Sequence, residues 1–234
     1  MALPIQSTPT YTTVLPSNGE EVKYRPFLVK EQKVLVMARE GENNKQIMDS
    51  VKTLIHAVTF EKVDANKLAT IDLEWLFLKI RAVSVGETSK LVLKCNHDGC
   101  TGSIPFDLNI DEIEVKGDFP DDNKVMISDT VGVTVRPPSV KDTEGLEDLD
   151  PQLQAVEVVK RSMVNIFDQE SIYNVDELNQ KDIDEFFDNL TFAQLNLLGE
   201  WFDRIPKLSH TVNVTCEQCG NTREQTLEGI QSFF

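Results

Sequence analysis

Basic charge is scarce in this sequence. Only 23 lysines and arginines stand against 39 aspartates and glutamates, a net charge of -16 over 234 residues. A nucleic-acid binder needs a basic footprint to neutralise phosphates, and an anionic membrane surface asks for the same. No nucleic acid and no membrane are therefore expected as partners. Histidine is scarcer still, at three residues. HExxH, a phosphate-cradling glycine loop and a G-x-S-x-G elbow are all missing, so neither an enzyme nor a small-molecule substrate is expected. Apolar runs are short. Crossing a bilayer takes about 20 residues, and the best stretch, "LEWLFLKIRAVSV", is interrupted by Glu74, Lys79 and Arg81. The opening "MALPIQSTPT" lacks the basic start and apolar stretch of a secretory signal. These absences lead us to expect a soluble protein in a reducing cytoplasm.

Cysteine is rare too, but its four copies are placed alike. "KCNHDGCTG" (Lys94 to Gly102) and "TCEQCGNT" (Thr215 to Thr222) each hold two cysteines with a glycine nearby and strand-like flanks. In a reducing compartment disulfides are disfavoured. A redox Cys-x-x-Cys needs a helix starting at the motif, whereas Cys216 and Cys219 sit between strand-like runs. Zinc takes four thiolates in a tetrahedron, two from each turn, and tolerates both spacings. Cys95, Cys100, Cys216 and Cys219 are thus read as one split zinc ribbon holding a single structural Zn2+. Unpaired buried thiols are the remaining alternative. His97, inside the first turn, is read as a polar turn residue because four cysteines already complete the shell. His56, beside the apolar positions of a helix, and His210, at a strand start, are read as structural.

Periodicity supplies the rest of the architecture. "TYTTVLPSNGEEVKYRP" reads as a hairpin turning at Asn18-Gly19. In "NKQIMDSVKTLIHAVTF", Ile47, Val51, Leu54, Ile55 and Val58 share a helical face. "IDLEWLFLKIRAVSV" predicts a buried central helix. Strand-like "KLVLKC" and "SIPFDLNI" flank the first cysteine turn, and "HTVNVTC" and "TREQTLEGI" flank the second. "DEIEVK" and "VGVTVRPP" also read as strands. Between the turns, "QLQAVEVVKRSMVNIF" predicts a helix with Leu153, Val156, Val159, Met163 and Ile166 on one side. Helices are also predicted at "NQKDIDEFFDNL", with Phe186 and Phe187 inward and Asp182, Asp184 and Glu185 wet, and at "TFAQLNLLGEWFDRI". In the last, Thr191 and Gln194 have capping-box spacing, and Trp201 is expected at a margin.

The expected fold is α+β: a β-rich platform with a split four-cysteine zinc ribbon and a helical insertion. Its expected segments are 1–60 (hairpin and helices), 61–141 (central helix, β platform and first knuckle), 142–206 (helical insertion) and 207–234 (second knuckle and tail). Three stretches are candidate docking surfaces: the segment before Thr10, the acidic strip Asp142 to Asp150, and the tail Ile230 to Phe234 with Phe233 and Phe234. The strip reads first as a solvated linker or helix entry and only second as a docking strip for a basic partner, and the two tail rings read first as folding back onto the ribbon's own core.

"PTYTTVLPSNGEEVKYRPFLVKEQKVLVMA", then "LEWLFLKIRAVSVGE", then the two cysteine turns, resemble the baseplate hub assembly family of T-even-like contractile-tailed bacteriophages. Tyr24 to Lys33 and Leu73 to Glu87 carry most of the resemblance, and residues 110–180 carry least. The resemblance implies a non-enzymatic late protein that helps build the baseplate hub through contacts with other tail baseplate hub proteins. It implies action in the host cytoplasm during assembly, either as a factor absent from the finished particle or as a permanent hub subunit in the virion tail. It maps no catalytic residue onto the chain. A nucleic-acid-binding zinc-ribbon protein remains a third reading from the cysteines alone, and the net charge opposes it.

Overall fold

A computed structural model describes residues 7–40, 44–146 and 148–229. In chain order the first elements are β1 (Tyr11–Val14), β2 (Glu21–Tyr24), α1 (Val29–Glu40), α2 (Asn44–Val58) and α3 (Thr70–Val85). Next come β3 (Thr88–Lys94), β4 (Ser103–Asn109), β5 (Glu114–Lys116), β6 (Lys124–Met126) and β7 (Gly132–Val135). The series closes with α4 (Pro151–Arg161), β8 (Met163–Phe167), β9 (Ile172–Asn174), α5 (Gln180–Asp188), α6 (Phe192–Asp203), β10 (Lys207–Thr215) and β11 (Thr222–Glu228). The chain is mixed α and β, in two compact units. One comprises Met1–Ala65, Ile71–Lys116 and Lys207–Phe234, and the other Asn66–Thr70 and Gly117–Pro206. The tail Ile230 to Phe234 and the first six residues, two of the expected docking stretches in whole or in part, lie outside the described residues.

In the first unit the expected hairpin forms, with Tyr11 opposite Tyr24 and Val14 opposite Glu21. Gly19 takes the left-handed conformation that the turn demands, at φ +72°. α3 is apolar nearly all round, and Leu73, Leu76, Phe77, Leu78 and Ile80 are buried, as befits a helix at the centre of a core. The hairpin turn is pinned to its first turn through a buried carboxylate. Asp72 accepts from the Ser17 N–H at 2.9 Å and from the Ser17 hydroxyl. Burial raises the Asp72 pKa in spite of those two hydrogen bonds. Trp75 Nε1 donates to Thr13 Oγ1 at 3.1 Å and ties the same hairpin one turn further on.

The stretch after the hairpin is a connector with its own ion pair. Arg25 places its guanidinium on both oxygens of Glu31, at 2.8 and 3.0 Å. It also reaches the carbonyls of Pro26 and Ala57. The hydrogen bond from Arg25 holds the Glu31 carboxyl below the usual range, against the opposing effect of burial. The helical face expected in α2 is the buried one: Val51, Leu54, Ile55 and Val58 are all interior. Two small sheets complete the unit, β3-β4 and β11-β10-β5. Lys116, at the end of β5, lies opposite Lys207, at the start of β10. The chain therefore leaves this unit and returns to it at paired positions.

The second unit is a four-stranded antiparallel sheet, β6-β7-β8-β9, with α4, α5 and α6 contributing to its core. That core joins Val133 and Val135 of β7 to Met163, Ile183, Phe187, Leu198 and Trp201. Here the sequence reading needs two corrections. The helix expected through Ile166 stops at Arg161, and Met163–Phe167 is a strand paired with β7, Ile166 opposite Val133. Apolar residues at a spacing of three suit a helix, but this run also lets the backbone satisfy itself in the ladder beside β7. Trp201, expected at a margin, is 2% exposed, because its Nε1 finds the Asp122 carbonyl at 2.8 Å and no longer needs water. Thr191 and Gln194 do form the capping box. Among the three wet-face acids, Asp184 is paired with Lys160 of α4, and this contact lowers its pKa.

The acidic strip begins inside the fold. Asp142 is 5% exposed. It accepts from Arg136 Nη2 at 3.0 Å and from the Ser139 N–H and hydroxyl at 2.7 Å each. Burial on its own would raise this carboxyl, but Arg136 and Ser139 outweigh it and hold the pKa below the ordinary value. A depressed carboxyl contributes stability above its unfolded pKa and loses it as pH falls through the folded one. Asp142→Asn is therefore expected to cost about 1.5–3 kcal/mol near neutral pH, the range for hydrogen bonds to a charged group. The gap from wild type should close on acidification below the unfolded carboxyl value near pH ~4. Urea unfolding as a function of pH measures this directly.

Candidate metal centre

Both cysteine turns are tips of β-hairpins, and the ladders carry them there. β3 pairs with β4 along its whole length, Lys94 opposite Ser103. The Cys95 N–H extends that ladder by donating to the Gly102 carbonyl at 2.8 Å. β10 pairs with β11 from Ser209 opposite Glu228 to Thr215 opposite Thr222, and the Cys216 N–H donates to the Asn221 carbonyl at 2.9 Å. Within the tips, Cys100 N–H donates to His97 O and Gly220 N–H to Cys216 O. Gly220 turns the second tip with φ at +70°. Under the tips, Ile104, Val214 and Cys216 form a small buried cluster, with Leu93, Val212, Cys95 and Cys100 packed against it.

The two tips meet. The sulfurs of Cys95, Cys100, Cys216 and Cys219 all lie within 4.8 Å of one another. Cys95 Sγ is 3.8 Å from Cys219 Sγ, and Cys100 Sγ is 3.8 Å from Cys216 Sγ. A tetrahedron with Zn–S near 2.3 Å has edges of about 3.8 Å, so the thiol set fits a zinc ion in size as well as in chemistry. Cys216 is fully buried, Cys95 and Cys100 are half-buried, and Cys219 is exposed. His97 is exposed and lies outside this group, while its carbonyl shapes the turn. His56 and His210 bond the carbonyls of Val63 and Glu112 through Nδ1.

Four thiols this close resist shared ionisation. The Cys219 N–H, with help from the Gln218 N–H and neighbouring thiols, lowers Cys216 to about 7 despite burial. At Cys100 the Gly102 N–H acts in the lowering direction, but desolvation and the three other cysteines prevail and push the thiol up to about 12. The protein alone thus favours one thiolate and penalises the next. A divalent cation removes that conflict, because it lets thiolates share its charge.

Sequence reasoning overlooked the role of Gly102. Its φ is ordinary, but a Cβ built there would lie 2.7 Å from Cys216 Sγ and 3.0 Å from Gln218 Oε1. The first knuckle passes so close to the second that only hydrogen fits between them. Gly102→Ala is expected to displace the Cys216 sulfur and weaken zinc retention about tenfold or more, since a tenfold change needs only ~1.4 kcal/mol. Competition with a colorimetric chelator reads this out. Gly99→Ala is the contrast: its φ of +75° carries strain, but its Cβ meets nothing within 4 Å.

A family model described as "T4 bacteriophage base plate protein" matches residues 8–234. No curated protein and no solved structure gives a significant match.

Proposed function

We infer the function from one premise: the chain belongs to the T4 bacteriophage base plate protein family, across residues 8–234. It works as a non-enzymatic component of phage tail construction, assisting assembly of the baseplate hub through contacts with other tail proteins. Its proposed setting is the host cytoplasm during assembly. The match over nearly the whole chain carries this reading. The charge of -16 supports protein partners over nucleic acid, which counts against a nucleic-acid-binding ribbon. Within the fold, Cys95, Cys100, Cys216 and Cys219 hold one structural Zn2+. Their mutual distances support that assignment, and a shell of four thiolates leaves no position for substrate or water.

The family's description as a base plate protein favours a second reading, a permanent hub subunit. One experiment addresses both. A phage lacking the chain is complemented in trans, and baseplates are counted by electron microscopy while purified particles are probed with antibody against the chain. Missing or defective baseplates without the chain are expected. Absence of the chain from finished particles marks an assembly factor, and a stoichiometric amount marks a subunit. Normal baseplates without the chain would overturn the proposal.

A further inference from the structure

We propose that the outer edge of β6, facing α6, is a docking groove for an extended, basic segment of another tail protein, which joins the sheet as a fifth strand. This deepens the baseplate reading and rests on it only for the partner being a tail protein. β6 is an edge strand: β7 pairs with one side, and no strand pairs with the other among the described residues. Ladder alternation identifies the outward groups. Val135 N–H donates to Asn123 O at 2.8 Å and Ile127 N–H to Val131 O at 3.0 Å. Residues 123 and 125 and the Ile127 N–H therefore face β7, while Lys124 and Met126 turn their backbone groups outward. The Lys124 N–H is taken by Asp122 Oδ1 at 2.9 Å. The Lys124 carbonyl and both backbone groups of Met126 face the groove.

The opposite wall is a helix held in place at both ends of the strand. Gln194 Nε2 donates to Ile127 O at 3.1 Å, and Trp201 Nε1 donates to Asp122 O at 2.8 Å. Between these two anchors lies a groove of about 550 Å³, lined by Lys124, Val125 and Met126 on the strand, by Leu197, Glu200 and Asp203 on the helix, and by Arg204 just past its end. Leu197 is 41% exposed on the helix wall, while the Met126 side chain lies against Gly132 and Phe167 on the other face of the sheet, so the strand contributes its backbone edge to the groove. An edge strand beside a helix, with main-chain groups free along one wall and Leu197 on the other, suits an added strand: backbone bonds supply affinity and alternate side chains supply selectivity. Natural proteins guard free edges with charge. Here Lys124 is the one charge on β6, and its ammonium sits 6.0 Å from the Phe167 ring centroid on the sheet face.

Charge selects the occupant. The second unit holds 20 acidic and 8 basic residues, so it carries -12 of the chain's -16. Inside the groove Glu200 and Asp203 are matched by Lys124 and Arg204, and the acidic surplus comes from Asp121, Asp122 and Asp129, exposed around the ends of β6. A second copy pairing edge to edge would set two such units against each other and is opposed by repulsion. A basic extended segment is attracted instead, with an apolar side chain over Leu197.

The test uses the purified full chain and ten-residue synthetic peptides tiled across the phage's own tail proteins. Binding is followed by fluorescence anisotropy, and amide exchange is measured at Met126. At least one basic peptide is expected to bind and to slow exchange at the Met126 amide. The double variant Glu200→Lys with Asp203→Lys should weaken that peptide about tenfold without moving Tm, and Met126→Pro should abolish binding by removing the outward N–H. The exposed charge variant keeps the test valid if the proline variant fails to fold. No binding peptide, or binding that leaves Met126 exchange unchanged, overturns the proposal. So does protection of Met126 that grows with chain concentration in the absence of peptide, which would assign the groove to a second copy. If no peptide binds while the chain still restores baseplates to a phage lacking it, the groove fails and the baseplate reading stands. Peptide binding alongside normal baseplates in that phage gives the reverse.

Discussion

Cys216→Ser is expected to empty the metal centre and destabilise the first unit more than any other substitution named above. The side chain is fully buried, in van der Waals company with Ile104 and Val214. A serine hydroxyl is a hard, poorly ionised ligand and replaces a thiolate badly, and it sits in an apolar cluster with little to gain beyond the nearby backbone N–H groups. Two costs combine. A metal held by the four thiolates would cross-link turns separated by 115 residues between Cys100 and Cys216, and closing a loop of about 100 residues is worth about 5 kcal/mol in chain entropy. Structural zinc in small finger domains contributes about 10–16 kcal/mol. That is an upper bound here, because β10 also pairs with β11 and β5 without help from metal. Metal analysis should find one zinc per chain in wild type and almost none in the variant, with a large fall in Tm that chelation of wild type reproduces. Unchanged Tm after both treatments would remove the structural role. The metal-free chain should also respond to pH. With Cys216 lowered to about 7 from 9.0, its thiolate contributes stability above the unfolded value, which is lost as pH falls through 7.

Trp201→Ala should be the most damaging single change in the second unit, at about 3–5 kcal/mol. The indole is nearly the largest object in a small core. It packs among Val133, Leu198 and Phe187 and edge-on to Phe202, with ring centroids 5.0 Å apart at 77°. Removing it opens a cavity between α6 and the sheet and leaves the Asp122 carbonyl without its donor. Trp201→Phe separates these effects. It keeps most of the ring volume and loses the N–H, so about 1 kcal/mol is expected. Urea unfolding ranks the two variants, and amide exchange along α6 should quicken in the alanine form. A loss under about 0.5 kcal/mol for Trp201→Ala, the size of an ordinary surface change, would mean the packing described here is wrong.

Local chemistry made much of this molecule legible. Asn18-Gly19 specifies a tight turn wherever it occurs between strand-forming runs, and Thr191 with Gln194 closes a capping box using neighbours three residues apart. The cysteine turns are equally local, since spacing and glycine determine what each can do as half of a metal site. Ligand number points to their meeting: two half-shells of two thiolates make one whole.

Other features depend on what arrives from far along the chain. Met163 and Ile166 have helical spacing, and pairing with β7 makes them a strand. Asp142 reads as solvated in an acidic run until Arg136 and Ser139 close around it. Gly102 looks like one more flexible turn residue, and only the sulfur of Cys216, over a hundred positions later, gives its missing side chain a purpose. Turns, caps, amphipathic faces and thiol pairs are written locally, because they depend on bond geometry and on neighbours within one helical turn or hairpin. Which polar groups find partners, and which strand edge stays open among the described residues, depends on burial and pairing between distant segments, and no local spacing encodes those.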